Sequence, residues 1–480
     1  MNMNRILAIA IVSLILAVYI YPDTYFIDYN SGNDSNDGRT KTMPWKRCPG
    51  MVGFSGSYSH QAGDIFIFRG GVRWPASVLP LSISYSGSSG ARDEYRSDPT
   101  WYAGAAFEQP LLDAEGSETQ LLVAHQRSYF KVEGLEFLGY GTAGVGNNGR
   151  GIEWDGVSNA TFANCVVAPN SWLGLYILQS RSGTSRDLVI QGNEISSAAM
   201  GIVLSTAAAN AIMEQVDIVD NRIHDLTSQL VGSVHGDGIH TWTSPSTDAT
   251  QSVRNVRIYN NTFEGDFSGA GVTAFIYLEY NTENCQIFNN VFQYTAPLDI
   301  SAFIYMKGNL SKTGIGGGHV VHNNTMIVDP LDTSPKIGVV VNGSPGVVLQ
   351  NNILEGFRYS YYFDSDSTST ASVDYNLVHP TTTVVGQWGS VALNWSQWQS
   401  YGNDVHGIQS DPSLLTGTAQ LSNTSVCIDA GIEMSHLSPD SAFDKNFRPR
   451  PIGITWDIGA YESEEVQTIP KAPSGLRVNE

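Results

Sequence analysis

The sequence predicts an all-β solenoid, in which short strands wind into coils that stack along one axis. Three observations support this fold class. An asparagine-centred motif recurs along the chain, apolar residues alternate within each repeat, and the composition is rich in glycine (48 residues) and poor in charge (15% Asp, Glu, Lys and Arg). Such a composition is typical of β-structure with many tight turns. A solenoid also accommodates 480 residues, because it grows by adding coils.

The repeated motif is an apolar residue, a variable residue, an asparagine and a second apolar residue. Its asparagines are Asn164, Asn193, Asn221, Asn261, Asn290, Asn324, Asn352 and Asn376, separated by 29, 28, 40, 29, 34, 28 and 24 residues. A recurring period of this length predicts stacked coils with insertions in loops. Asparagine tolerates the left-handed backbone of a sharp bend, and its amide can form a hydrogen-bonded ladder between coils. We therefore expect these asparagines to lie in one line.

A second strand precedes the asparagine in each coil. With a period of two, its core-facing residues are Ile152, Leu175, Ile202, Ile239, Ile276, Ile304 and Val339. The residues after them should face outward in two columns. The first column is Glu153, Tyr176, Val203, His240, Tyr277, Tyr305 and Val340. The second column is Asp155, Leu178, Ser205, Trp242, Glu279, Lys307 and Asn342.

Motifs at both ends of the chain point to a known group. The chain opens with YFID at 25–28, GNDSNDG at 32–38 and Pro44-Trp45, and later carries DIGAYE at 457–462. In these motifs it resembles the secreted bacterial right-handed β-helix proteins of the pectate-lyase-like superfamily, over about residues 25–462. The resemblance implies a single-stranded right-handed parallel β-helix with N- and C-terminal caps. It leaves the activity open, because that superfamily includes lyases, hydrolases, epimerases and proteins of no known activity.

The domain organisation follows from these landmarks. We expect a signal peptide or N-terminal anchor (1–21), an N-terminal cap with the first coils (22–129), the β-helix core (130–380), a C-terminal cap (381–462) and a linker or the start of a truncated fibronectin-III-like module or anchor (463–480). Arg5 followed by an apolar run to Tyr21 predicts export. The protein should therefore be secreted or at the cell surface, extracellular or periplasmic, with no stable membrane insertion beyond a possible N-terminal anchor.

Charge and cysteine usage exclude several function classes. A net charge of −20 argues against binding to nucleic acid, which needs a basic face, and against docking on anionic lipid. The four cysteines (Cys48, Cys165, Cys285 and Cys427) are widely spaced and show no metal-binding pattern. We expect a monomer whose partner is a polysaccharide.

The middle coils carry the candidate site. Because neighbouring coils are about 4.8 Å apart, one compact exposed patch should form, consisting of His240, Trp242, Tyr277, Glu279, Tyr305 and Lys307. Aromatic faces beside hydrogen-bonding groups suit sugar rings. Trp242, Tyr305, His235 and Asn342 are the expected substrate-binding residues, and loops around 232–238, 265–271 and 298–301 should wall the cleft. The alternative is ordinary surface, with a salt bridge between Glu279 and Lys307.

The patch favours some reactions over others. A glycosidase needs two carboxyl groups about 5 to 10 Å apart. Asp237 should lie roughly 16 Å along the strand from the row of Trp242, so hydrolysis is disfavoured. The superfamily resemblance implies a lyase with a basic residue as the proton acceptor, assisted by a cation.

The expected catalytic residues are His240, Lys307 and Tyr277, and the expected metal ligands, possibly for Ca²⁺, are Glu279 and Asp237. His240 is the better base, because a neighbouring Glu279 would raise the pKa of Lys307. The sequence thus favours a lyase acting on a uronate-containing glycan. A non-catalytic glycan-binding adhesin, a β-helix hydrolase and an epimerase remain open as alternatives.

Overall fold

Three long parallel β-sheets wind around a common axis and form a right-handed parallel β-helix. The structure is a computed structural model that describes residues 22–140, 149–226, 236–243, 250–267, 272–294, 300–308, 316–328 and 336–463. In the middle of the molecule each coil contributes a strand to each sheet, and at the end of sheet 3 Val384–Trp388 pairs antiparallel with Val391–Asn394. Strands of the same sheets also occur in the flanking segments 22–129 and 381–462, since the first is Thr24–Ile27 and the last is Ile408–Gln409.

Within each sheet the strands stack in the order of the chain. Sheet 1 contains Thr24–Ile27, Ile65–Gly70, Asp93–Tyr102, Ser128–Glu133, Ser158–Ala163, Gly183–Gln191, Ala211–Val219, Ser252–Tyr259 (also paired with Thr282–Glu283), Gln286–Phe288, Val320–His322, Val348–Gln350 and Ser372–Asp374. Sheet 2 contains Arg73–Pro75, Leu111–Asp113, Glu136–Leu138, Val166–Ala168, Glu194–Ile195, Arg222–His224, Thr262–Gly265, Val291–Tyr294, Thr325–Val328, Ile353–Glu355, Leu377–His379 and Ile408–Gln409. Sheet 3 contains Leu81–Ile83, Leu122–His125, Arg150–Asp155, Ser171–Gln179, Ala198–Thr206, Gly236–Thr243, Val272–Tyr280, Ala302–Gly308, Ile337–Asn342, Tyr359–Phe363, Val384–Trp388 and Val391–Asn394.

The core lies inside the coils and is built from the inward residues of all three sheets. In sheet 3 the seven residues predicted to face inward, from Ile152 to Val339, are each no more than 1% exposed. The predicted period and phase of these strands are therefore confirmed. Since every other residue of such a strand points away from the core, the two predicted columns lie on the outer face of sheet 3.

A ladder of buried asparagines runs between sheets 1 and 2. The side-chain amide of each member donates to the side-chain oxygen of the next, through Asn193, Asn221, Asn261, Asn290, Asn324, Asn352 and Asn376, and ends on the carboxylate of Asp404. The backbone N–H of each member donates to that same oxygen. The expectation of one line is thus confirmed for seven of the eight asparagines, all except Asn164.

Two neighbouring residues share the roles that were predicted for one asparagine. The left-handed backbone falls on the residue before the ladder asparagine, as in Asn260 (φ 56°) and Asn289 (φ 54°). Asn164 also has this backbone (φ 53°), so it does not align with Asn193. Its neighbour Cys165 takes the ladder position and donates its N–H to Asn193. The bend and the buried amide bonds impose different requirements, which the pattern Asn-Asn satisfies together.

The segment after the last coil covers the C-terminal end of the β-helix and then runs back along the outside of the coils. The α-helix Trp395–Ser400 places Trp398 in a stack on Tyr361, with ring centroids 5.1 Å apart. Two 3-10 helices also occur, Ala76–Val78 near the N-terminus and Pro439–Ala442 in the returning segment.

The returning segment, residues 427–462, is bonded to side chains and carbonyls of successive coils. Four of these contacts pair Lys445 with the Asn260 carbonyl, Asn289 with the Phe443 carbonyl, Asn323 with the Asp457 carbonyl and Asn351 with the Ile432 carbonyl. A fully buried ion pair of Arg450 with Glu462 (2.6 Å) holds the segment itself together. The returning segment therefore binds the coils at the residues with left-handed backbone, which precede the ladder asparagines.

The four cysteines are buried free thiols, which is consistent with a role in packing. Among the described residues, no helix is long and apolar enough to span a membrane. The segments 1–21 and 464–480, on which the predictions of a signal peptide or anchor and of a further module depend, lie outside the described residues.

Candidate functional site

Parallel pairing in sheet 3 brings the predicted site residues side by side. Val203, His240, Tyr277, Tyr305 and Val340 follow one another in the first column. In the second column Glu279 pairs with Lys307, and Lys307 with Asn342. The sequence-based alignment of neighbouring coils is therefore the register of the structure.

Four charged groups form a continuous row across three strands. The Asp237 carboxylate lies 2.8 Å from Nδ1 of His240, and the Glu279 carboxylate lies 3.5 Å from Nε2 of the same ring. The other oxygen of Glu279 accepts a hydrogen bond from Nζ of Lys307 at 3.0 Å. Tyr277 donates to that oxygen at 3.2 Å. The row alternates acid and base, so each charge has an opposite charge beside it.

Burial changes steadily along this row, which corrects the expectation of an exposed patch. Asp237 is 0% exposed, His240 3%, Tyr277 4% and Glu279 5%, whereas the side chain of Lys307 is 30% exposed. Residues that point away from the coil core are covered in this part of the outer face. Lys307 is therefore the group of the row that a large ligand can reach.

The position of Asp237 is a second correction. An alternation of two from His240 would turn Asp237 toward the core, and its predicted distance from the row of Trp242 was roughly 16 Å. The pairing of its strand with Val272–Tyr280 shifts register between Gly236 and Asp237. From Asp237 to His240 the pairing is in register, yet the Asp237 side chain lies on the outer face, where its carboxylate contacts His240 and its strand partner Met200 packs with Val203. The next residue must be glycine, because a Cβ at Gly238 would lie 2.5 Å from the Phe275 carbonyl oxygen.

The environment of Asp237 suits a residue that orients its neighbour. One oxygen accepts from the Ala274 backbone N–H at 2.9 Å, while the other faces His240. Fixed in this way, Asp237 holds the imidazole with Nε2 directed at Glu279. A carboxylate that accepts a hydrogen bond from one ring nitrogen keeps the proton on that nitrogen and fixes the direction in which the other nitrogen points.

The electrostatics of the row follow from these contacts. Burial by itself would lower the pKa of His240, but the hydrogen bond with Asp237 and the negative charge of Glu279, 3.5 Å from Nε2, outweigh it and raise the pKa to about 9. For Glu279, burial is outweighed by His240 and Lys307, which lower its pKa to about 2. The pKa of Lys307 is raised because its bond to Glu279 outweighs the effect of burial. At neutral pH the imidazole and the ammonium are both charged and flank a carboxylate.

We expect His240 to titrate near pH 9 in the folded protein. Its pKa lies above the ordinary value of 6.5, so the stability it contributes is full below about pH 6.5 and is lost as the pH rises through about 9. NMR of histidine-labelled protein should show this midpoint, and Asp237→Asn should move it to lower pH. His322 is the internal reference, since burial lowers its pKa to about 3 and keeps it neutral over the same range. A midpoint of His240 near its ordinary value would contradict the charged row.

Aromatic and amide groups surround the exposed end of the row. Trp242 is 37% exposed, and Tyr305 is half-buried and accepts a hydrogen bond from Asn342 at 3.3 Å. These three predicted binding residues lie on the outer face as expected. His235 lies outside the described residues, as do most of the loops expected to wall the cleft.

Sequence reasoning missed Tyr280. Its hydroxyl accepts from Nζ of Lys307 at 3.4 Å, and its ring lies under the ammonium, 4.8 Å from the ring centroid. The backbone of Tyr280 is left-handed (φ 58°), as are those of Tyr129 and Tyr375 at bends of other coils. No pattern in the sequence marks this bend, because no glycine or asparagine occupies it.

The residues expected to hold calcium do not fit that ion. Calcium prefers six to eight oxygen ligands. Both oxygens of Asp237 accept hydrogen bonds, and Glu279 lies between two cationic side chains that would repel a metal. In the part of the chain that the structure describes, no group of three or more His, Cys, Asp or Glu residues is placed to bind a metal.

Comparisons with known proteins agree with this architecture. Residues 146–328 match the family described as "Right handed beta helix region", in agreement with the fold of the structure. A search of curated proteins gives no match.

Similar solved structures include three carbohydrate-active enzymes. Pectate lyase Pel9A has a TM-score of 0.53 and 16% identity, covering 92% of this chain and 96% of that chain. The GH136 lacto-N-biosidase from Eubacterium ramulus has a TM-score of 0.47 and 14% identity, covering 76% of this chain and 65% of that chain. A rhamnogalacturonan lyase has a TM-score of 0.40 and 13% identity, covering 84% and 95%. At these identities the likeness shows the fold alone.

Proposed function

We propose that this protein is a secreted enzyme that cleaves a uronate-containing polysaccharide by β-elimination, with Lys307 as the base. The observation that carries the proposal is the charged row that begins at buried Asp237 and ends at the half-exposed ammonium of Lys307. On the same outer face lie Tyr305, on the strand of Lys307, and Trp242, two coil steps or about 10 Å away, and their aromatic faces suit sugar rings. The β-helix fold shared with pectate lyase Pel9A agrees with this reaction class.

The exposure of each side chain in the row determines the role that we assign to it. Lys307 takes the proton on the carbon next to the substrate carboxylate, and a carbon–carbon double bond forms as the bond to the glycosidic oxygen on the adjacent carbon breaks. The departing oxygen takes up a proton from water and becomes a hydroxyl group. His240 is buried and protonated at neutral pH, so it acts on Glu279 rather than on the substrate. Burial, together with Glu279, raises the pKa of Tyr277 well above its usual range, so its hydroxyl remains a hydrogen-bond donor.

The base assignment has a pH signature. Lys307 must lose its proton before it can accept one, and its pKa is raised by Glu279. The Tyr280 hydroxyl raises the pKa of Lys307 as well. The rate of elimination should therefore increase as the pH becomes alkaline.

Incubation with a panel of uronate polysaccharides tests the proposal. We expect at least one to give an unsaturated product, detected by its ultraviolet absorbance, with a rate that rises toward alkaline pH. The same panel should be measured for binding. Tight binding of a polysaccharide without any unsaturated product would contradict elimination and would support the alternative of a glycan-binding surface protein.

Hydrolysis is a second candidate, favoured by the corrected position of Asp237. Asp237 and Glu279 flank one imidazole ring, which places their carboxylates within about 9 Å, inside the range used by inverting glycosidases. Complete burial of Asp237 argues against its contact with a sugar. The same panel distinguishes the two reactions, because hydrolysis releases reducing ends without the absorbance of a double bond.

A further inference from the structure

We propose that the sugar-binding face of sheet 3 is closed at its N-terminal end, so that the enzyme accepts the end of a polysaccharide chain rather than its middle. This inference rests on the proposed function, since it concerns the same face. The closed end consists of the two strands that precede the His240 strand, Ser171–Gln179 and Ala198–Thr206.

These two strands are buried on both faces. All nine residues of Ala198–Thr206 are buried, and in Ser171–Gln179 only Trp172 is not. A strand of a β-helix normally buries every other residue, because its alternate residues point away from the core. Here the outward residues are covered as well.

A hydrophobic cluster separate from the main core fills this part of the outer face. It is made of Leu173, Tyr176, Leu178, Met200 and Val203, with Trp172 packed against it. Val203 pairs directly with His240, and Ser205 pairs with Trp242. The apolar filling therefore begins one coil from the charged row, and a sugar chain crossing it would have to displace packed apolar side chains.

The opposite side of the charged row is more open. The same column continues from Tyr305 through Val340 and Tyr362 to Gln387. Tyr305, Tyr362 and Gln387 are half-buried. Val340 between them is 5% exposed, as Val203 is, so this column is open only in part. At about 4.8 Å per coil, its three coil steps span about 14 Å beyond the row.

The closure is local to two coils. One strand further toward the N-terminus, in Arg150–Asp155, the outward residues Glu153 and Asp155 are again half-buried. The sheet therefore does not become uniformly covered toward its N-terminal end. A bound chain would place its terminal sugar at Trp242, against the closed end, and extend toward Gln387.

Product analysis tests this inference. On the polysaccharide that the panel identifies, wild-type protein should release one short product from the first minutes, with slow loss of viscosity. A ladder of intermediate sizes would overturn the closed end while leaving β-elimination intact. Absence of unsaturated product from every polysaccharide would overturn the proposed function and this inference together.

A variant makes the test specific to the closed end. Leu178→Ala shortens an apolar side chain of the cluster and should shift the early products toward longer ones. Val189→Ala, an outward residue of sheet 1, is the matched control and should leave the product sizes unchanged. Folding of both variants is checked by circular dichroism. An unchanged product distribution in folded Leu178→Ala would also count against the closure.

Discussion

Replacing Lys307 with alanine should reduce the rate of polysaccharide cleavage by about 100-fold or more, the usual contribution of a positioned acid–base group. The substitution removes the accessible nitrogen at the end of the charged row, which the Glu279 carboxylate holds at 3.0 Å. Rates are measured from the appearance of unsaturated product under saturating polysaccharide. Binding affinity is measured in parallel, because loss of the base should affect turnover more than binding.

Two further variants define what the nitrogen does. Lys307→Arg keeps the positive charge but cannot give up its proton, so it should be as inactive as the alanine variant. Lys131→Ala removes a lysine of similar exposure that also pairs with a glutamate, on sheet 1, and should retain full activity. If Lys307→Arg cleaves at the wild-type rate, the residue supplies charge alone and the base lies elsewhere.

The largest effect on stability should come from the asparagine ladder. Asn261→Ala removes the oxygen that accepts both the backbone N–H and the side-chain amide of Asn221. It also removes the amide that bonds to the Ile218 carbonyl and to Asn290. Because each buried polar group left without a partner costs about 1–3 kcal/mol, we expect a loss of about 3 kcal/mol or more in the free energy of unfolding.

Equilibrium unfolding in guanidinium chloride measures this loss. Asn423→Ala replaces an exposed asparagine outside the ladder and should change the free energy of unfolding by no more than about 0.5 kcal/mol. Equal stability of the two variants would mean that the buried amides contribute nothing beyond the packing of the coil.

Much of the fold could be predicted because its repeat is visible in single residues. The period of two identified the inward residues of sheet 3, and the alignment of coils placed His240 beside Tyr277 and Glu279 beside Lys307. Both follow from local alternation, which a sequence displays directly.

Other features depend on contacts between coils and could not be predicted in the same way. The burial of His240 depends on what covers the outer face. The outward side chain of Asp237 breaks the period of two, and the bend at Tyr280 has no glycine to mark it. The raised pKa of His240 follows from these three-dimensional contacts. The choice of Lys307 rather than His240 as the base therefore needed the structure.

The returning C-terminal segment changes how such a molecule can come apart. In a solenoid each coil contacts only its neighbours, so coils can in principle separate one after another from an end. Here one segment is bonded to Asn260, Asn289, Asn323 and Asn351, which belong to four successive coils. Local unfolding of any one of these coils must either break its hydrogen bond to the segment or unfold the other three coils as well. The coils that bear the charged row are thereby joined into a single cooperative unit.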